Sequence, residues 1–225
     1  MVEVNEFDYL PGATVIYDFI SEAEELELVS NIDKSNWGGN GQYPNPELRR
    51  RTQHFGYLFS YRYRQIEKYL GDFPQFLKTI NKKLVNIENG HIDLNSIIIN
   101  EYEVGQGIMP HTDSAEIFGP VISSLSLLSP CNMEFTPTKQ KTLELQKSDQ
   151  KIPKINIHLP RRSLLIMKEN CRYDYQHSIS KNSIEYLPII NDGSLSSEEF
   201  TRDRRISLTF RTMLDTESFD NSNNN

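Results

Sequence analysis

Cysteine is nearly absent: Cys131 and Cys171 are the whole supply in 225 residues, and they do not form a Cys-x-x-Cys pair. A disulfide framework and a paired-thiolate zinc site are thereby excluded, and both thiols are expected to be reduced, buried small hydrophobes. Long apolar runs are missing as well, with none near the ~20 residues of a membrane span. The opening Met-Val-Glu-Val-Asn-Glu carries neither the basic nor the apolar region of a signal peptide. These absences lead us to expect a protein of the cytoplasm and nucleus with no membrane partner. Lys and Arg are wholly lacking from the first 33 positions, which hold nine acids. A net charge of −7 argues against indiscriminate binding of nucleic acid.

Positive charge is concentrated instead between residues 49 and 88, where nine bases face three acids. Such a segment can still grip a few phosphates. The length suits one domain with a real core and an N-terminal extension.

The pattern is mainly β with flanking helices. Ala13 to Tyr17 is strand-like, and Ser21-x-x-Glu24 is a capping box opening a helix that runs to Asp33. Trp37 begins a Gly- and Pro-rich loop as a core anchor, and a second amphipathic helix runs from Pro74 to Ile87. After Asp93 the signal is β: Ser96 to Tyr102, Ile108 to His111, Ile122 to Leu128, Met133 to Thr136, Lys141 to Gln146, Ile155 to Leu159, Ser163 to Met167, Tyr173 to Ser178 and Arg205 to Met213. Many short strands with turn signals between them indicate a sandwich or jelly-roll barrel. Residues 187 to 202 read as a surface excursion and 215 to 225 as a disordered polar tail.

Three separated pieces combine into one chemical proposition. His111-Thr-Asp113 puts an imidazole and a carboxylate at i and i+2, on one side of an extended segment. His177, in a run rich in aromatics, supplies a third ligand. Two histidines and a carboxylate form the facial triad that leaves positions open on non-haem Fe(II) for a co-substrate and dioxygen. From Arg205 to Arg211 polar and apolar residues alternate, so both arginines share one strand face, where a permanently charged fork suits a dicarboxylate. Each piece alone has an ordinary reading: a polar turn, a satisfied histidine, a solvated strand face. His158, in Ile155-Asn-Ile-His-Leu, rivals His177 for the third position. The joint occurrence of all three pieces, in order, favours an oxygenase.

These residues also carry a resemblance. Asn100-Glu-Tyr102, His111-Thr-Asp113, His177 and Leu208-Thr-Phe-Arg211 resemble the AlkB family of Fe(II)- and 2-oxoglutarate-dependent dioxygenases. Asn36-Trp-Gly-Gly and Gly107-Ile-Met-Pro-His111 look most like its sixth animal homologue, which sets that branch as the expected nearest kin. The resemblance implies a double-stranded β-helix core over residues 95 to 214, behind an N-terminal α/β extension over 1 to 94 that carries a substrate-recognition lid. It implies iron ligation by His111, Asp113 and His177. Arg205 would clamp the distal carboxylate of 2-oxoglutarate with help from Tyr102, Asn100 would bind near the keto-acid end, and Arg211 would approach the proximal carboxylate and Asp113. The implied reaction consumes dioxygen and hydroxylates a carbon; on an N-methyl group the product falls apart to formaldehyde, a net demethylation.

Arg49-Arg-Arg-Thr-Gln-His-Phe-Gly-Tyr-Leu-Phe-Ser-Tyr-Arg-Tyr resembles the nucleotide-recognition lid of AlkB proteins, including the animal homologue that works on tRNA wobble uridines. Phe55, Tyr57, Phe59, Tyr61 and Tyr63 alternate onto one face, most of them as core, while one or two, Tyr57 among them, stack on an extruded base. Arg49, Arg50 and Arg51 would hold phosphates, and His54 is expected in solvent. A modified RNA or DNA is the favoured substrate. A histone or other basic protein meeting the acidic N-terminal third is the alternative, and a binding protein without turnover is a third.

Overall fold

The computed structural model describes residues 3–87, 94–191, 194–214 and 216. The tail expected over 215 to 225 lies, residue 216 apart, outside that description.

Three layers organise the fold. The first is a pair of helices, α1 (Glu22–Lys34) and α2 (Gln75–Val85). Helix α1 opens as the sequence specifies: the Ser21 Oγ accepts from the Glu24 amide at 3.3 Å, and the Glu24 carboxylate accepts from the Ser21 amide at 2.8 Å. The buried Glu25 accepts the Leu128 amide at 2.7 Å and the Arg161 guanidinium at 2.6 Å, pinning α1 to the sheet beneath.

The second layer is a nine-stranded sheet. Its strands are β1 (Val4–Glu6), β2 (Ala13–Ile16), β3 (Gly38–Gly39), β4 (Arg51–Ser60), β5 (Gln65–Tyr69), β6 (Ser96–Tyr102), β8 (Phe118–Leu128), β11 (Leu164–Met167) and β15 (Arg205–Met213). They lie in the order β1-β2-β11-β8-β15-β6-β4-β3, with β5 paired to β4. The N-terminal extension is thus woven into the core sheet, supplying β2 beside β11 and β4 beside β6. The third layer is a four-stranded sheet, β10 (Ile155–Leu159), β9 (Cys131–Pro137), β12 (Tyr175–Ile179) and β7 (Ile108–His111), in that order. The segment read as a surface excursion falls largely on two paired strands, β13 (Ile184–Asn191) and β14 (Ser194–Thr201).

Two cores separate the layers. Ile97, Ile99, Leu125, Ile206, Leu208 and Phe210 pack against Leu28, Ile32, Leu77, Ile80 and Leu84 of the helices. Ile122, Leu165 and Met167 face Cys131, Phe135, Ile157 and Ile179 between the sheets. Both cysteines are free and buried, as expected.

The strand expected at Lys141 to Gln146 is a helix, α3 (Lys139–Lys147). Leu143 and Leu145 mimic strand alternation, yet none of the helix is buried, so no sheet face competes with the helical propensity of Lys, Gln, Leu and Glu. Thr138 caps it, its Oγ accepting from the Lys141 amide at 3.3 Å. The strand expected from Tyr173 begins at Tyr175, because residues Glu169–Tyr173 form a turn of helix, α4.

The aromatic alternation of β4 is broken by Gly56, at φ +74°, where an added Cβ would lie 1.9 Å from the Asn95 carbonyl oxygen. Phe55 consequently packs towards the helices, while Tyr57, Phe59 and Tyr61 pack between the sheets. Tyr63 alone of the five is largely exposed, at 65%.

Candidate metal centre and co-substrate pocket

Strands β7 and β12 pair so that His111 stands directly opposite His177. The sheet itself therefore brings together two histidines that are 66 positions apart in the chain. Asp113 lies just beyond the end of β7, and the three side chains offer ligand atoms within 4.8 Å of one another. The Met109 carbonyl accepts from His111 Nδ1 at 2.9 Å, which leaves Nε2 with its lone pair for a metal. His158 takes no part: its Nδ1 contacts Asn132 Oδ1 at 3.0 Å, and its ring stands edge-on to Phe200.

Electrostatics favour the ligating protonation states. Burial, reinforced by His111, pushes His177 down to about 3, and burial lowers His111 as well, so both rings are neutral near pH 7. Burial alone would raise Asp113, but Arg211 and the two histidines more than offset it and hold the carboxyl below its ordinary value. Arg211 donates to Asp113 Oδ1 at 2.8 Å and lies over the Phe118 ring at 4.6 Å.

A cavity of about 200 Å³ opens over the triad, lined among others by Arg50, Tyr61, Arg64, Asn100, Tyr102, Phe118, Ser124, Ser207, Thr209 and Arg211. Alternation along β15 is as read from the sequence: Ile206, Leu208 and Phe210 meet the helices, and Ser207, Thr209 and Arg211 meet the cavity. Arg205 pairs in register with Tyr102, and Ser207 with Asn100. Arg205 is fully buried behind the lining, donating from Nη2 to Ser126 Oγ at 2.8 Å and lying 5.5 Å from the Tyr102 ring centre. Its Nε and Nη1 have no hydrogen-bond partner, and the Cys131 thiol beside it is a weak acceptor. A buried permanent cation with open donors fits a carboxylate, since only an anion offsets its desolvation.

The basic run divides. Arg50 enters the cavity, its Nε donating to Asn100 Oδ1 at 2.7 Å. Arg51 turns away to Glu101, where its Nη2 donates at 2.6 Å, and lies over Trp37. Arg49 is exposed. Tyr57 is 5% exposed and packed against Tyr69, away from the cavity, so the aromatics of the run that meet the cavity are Phe59 and Tyr61. His54, expected in solvent, is enclosed beside Asn45 and Thr52, and burial drives it down to about 3. Three contributors went unnoticed in the sequence. Ser124 and Ser126 stand two apart on one face of β8, a period-2 polar pair within an apolar strand that could have marked them. Arg172 donates from Nη1 to the Asp113 carbonyl at 2.6 Å, and nothing in the sequence signals that partner.

Residues 12–211 match the family model described as the 2OG-Fe(II) oxygenase superfamily. The chain belongs to that superfamily. Within it the chain is AlkB-like. It is 34% identical over 217 residues to the Alkylated DNA repair protein ALKBH8 homolog of Arabidopsis thaliana, covering 90% of this chain and 58% of the relative. It is 31% identical over 214 residues to the mouse tRNA (carboxymethyluridine(34)-5-O)-methyltransferase ALKBH8, covering 89% of this chain and 30% of the relative. The chain thus spans 30% to 58% of the length of these relatives. The expected nearness to the sixth homologue is weaker than this, at 26% identity over 212 residues for the zebrafish Probable RNA/DNA demethylase ALKBH6. Among solved structures OsALKBH1 superposes with a TM-score of 0.62 at 14% identity, over 93% of this chain and 100% of that one, which supports the double-stranded β-helix fold. As a member of that superfamily, the chain carries its iron-binding triad in His111, Asp113 and His177.

Proposed function

We propose that this dioxygenase oxidises a modified nucleotide in RNA or DNA, by hydroxylation or demethylation. The observation that carries the reading is the β4–β5 turn at the cavity. Tyr61 and Arg64 from this turn line the cavity, and between them Arg62 lies over the ring of the exposed Tyr63 at 5.5 Å from its centre. A cation and an open aromatic face beside a recessed reaction centre suit a base drawn out of its stack with its phosphates held outside. The relatives named for nucleic-acid substrates support the same class; the methyl transfer in the mouse protein's name belongs to a protein of which this chain spans 30%.

When bound, Fe(II) and 2-oxoglutarate supply with dioxygen the oxidation that converts a substrate C–H to C–OH, releasing succinate and carbon dioxide. The chain's own groups place the participants. Arg205, with the Tyr102 hydroxyl, would hold the far carboxylate of the co-substrate; Arg211 orients Asp113 and would meet the near carboxylate; and Asn100, bonded to Arg50, would border the keto-acid end. Phe59, Phe118, Met133 and Ile179 keep the cavity wall apolar and exclude water.

The test is succinate release with methylated RNA, DNA and histone peptides, together with salt-dependent binding of short oligonucleotides. Turnover on an oligonucleotide, with binding weakened by Arg62→Ala, Tyr63→Ala and Arg64→Ala, is the expected result. Turnover on histone peptides with none on nucleic acid overturns the proposal.

A further inference from the structure

We propose that Arg172 is a positioning residue of the iron centre, tying the loop of the ligand Asp113 to the segment that bears the ligand His177. The inference rests on the triad but not on the identity of the substrate.

Asp113 needs such a tie. Strand β7 ends at His111, so no sheet ladder holds the backbone of residues 112 to 114. Arg172 reaches that loop from α4 and is 4% exposed. Its Nη1 donates to the Asp113 carbonyl at 2.6 Å and its Nη2 to the Ser114 carbonyl at 3.2 Å. The planar fork presents a separate, rigidly spaced nitrogen to each of two successive carbonyls, whereas a lysine would have to serve both from one nitrogen on a flexible stem. Asp113 is then gripped at both ends, its carboxylate by Arg211 from β15 and its carbonyl by Arg172. His177 stands five residues beyond Arg172, on β12. The link therefore joins the two ligand-bearing segments independently of the ladder that pairs His111 with His177.

Arg172 is itself held in place from the N-terminal extension. The Lys168 amide donates to the Gly12 carbonyl and the Cys171 amide to the Pro11 carbonyl, each at 2.9 Å. Gly12 has φ +88°, and a Cβ there would lie 2.0 Å from the Lys168 oxygen, so the close approach demands glycine. A continuous path runs from Pro11-Gly12 through α4 and Arg172 to the carboxylate ligand. Removing a group that orients a metal ligand costs about 10- to 100-fold in metal affinity.

The experiment titrates metal-free wild type, Arg172→Ala, Arg172→Lys and Leu84→Ala with Mn(II) by calorimetry and with Co(II) by visible absorption, alongside thermal melts, with His177→Ala as control. Leu84 lies in the helix-side core, away from the cavity, and supplies a loss of stability unrelated to the site. Arg172→Ala is expected to weaken Mn(II) binding about 10- to 100-fold and to alter the Co(II) spectrum, Arg172→Lys to fall between it and wild type, and Leu84→Ala to lower the melting temperature with metal affinity unchanged. Wild-type affinity and spectrum in Arg172→Ala overturn the proposal, as does an equal loss of affinity in Leu84→Ala. If Arg172→Ala does not fold, Arg172→Lys decides: a loss of several-fold supports the role, and unchanged affinity refutes it. Loss of binding in His177→Ala keeps a failure of this proposal distinct from a failure of the metal centre.

Discussion

His111 and His177 face each other across adjacent antiparallel strands, their ring centres 4.3 Å apart. The separation is set by the backbone ladder, not by long side chains searching for one another. A slip of one residue between β7 and β12 would turn one of the rings to the opposite face of the sheet. His111→Ala and His177→Ala are each expected to abolish 2-oxoglutarate turnover and to weaken Mn(II) binding at least about 100-fold, with folding retained by circular dichroism. Full turnover in either variant would show that the centre lies elsewhere.

Arg205 is buried with two unpartnered donors, whereas Arg211 is engaged with Asp113. Arg205→Ala should therefore weaken 2-oxoglutarate binding about 10- to 100-fold, the worth of hydrogen bonds to a charged group, while Mn(II) affinity stays within about twofold. Calorimetry of the Mn(II)-loaded variant is the check. Unchanged co-substrate affinity would remove Arg205 from the pocket.

Gly56 joins two demands in one residue, a positive φ and a close approach to the Asn95 carbonyl. Gly56→Ala is expected to cost about 2–4 kcal/mol, read in a urea titration, because both the backbone and the contact must shift. The turn of the backbone at Gly56 precedes the β4–β5 turn on the same strand, so oligonucleotide binding should weaken with it.

Glu101 is buried between Arg51 and Arg204, and Arg204 also pairs with Asp33. Burial pushes Glu101 up, yet the hydrogen bonds from the two arginines prevail and hold it below its ordinary value. A folded-state pKa below the unfolded one contributes stability that is present above about pH 4.5 and lost as pH falls through the folded value. Glu101→Gln should be less stable than wild type at pH 7, and the gap should close on acidification below about pH 4.5. A gap that stays constant down to pH 3 would mean that the charge of the carboxylate contributes nothing.

The metal centre was legible in the sequence because ligation constrains residue type as well as order. The β15 face was equally legible, since Arg205 to Arg211 alternates without interruption. Other parts were not, for identifiable reasons. Arg172 acts on backbone carbonyls, which every residue possesses, so its partner leaves no trace in the sequence. Arg49, Arg50 and Arg51 look alike as a run, but Arg49 is exposed, Arg50 bonds to Asn100 just before β4 begins and Arg51 pairs with Glu101, so of the three only Arg50 reaches the cavity. The aromatic run of β4 reads as one face until Gly56 shifts its phase. At α3 a short alternation imitates a strand, because burial, which would have made it one, is a property of the fold.

The wide sheet is stitched mostly from segments distant in the chain: β2 meets β11, β11 meets β8, β8 meets β15, and β15 meets β6. The triad depends on the same kind of pairing, between β7 and β12. Joining such segments closes long loops and is slow, so the ligands converge only once the difficult part of folding is over. Iron then arrives too late to template the chain. Bound metal should lengthen the lifetime of the finished protein by slowing its unfolding, while the rate at which the chain folds stays the same.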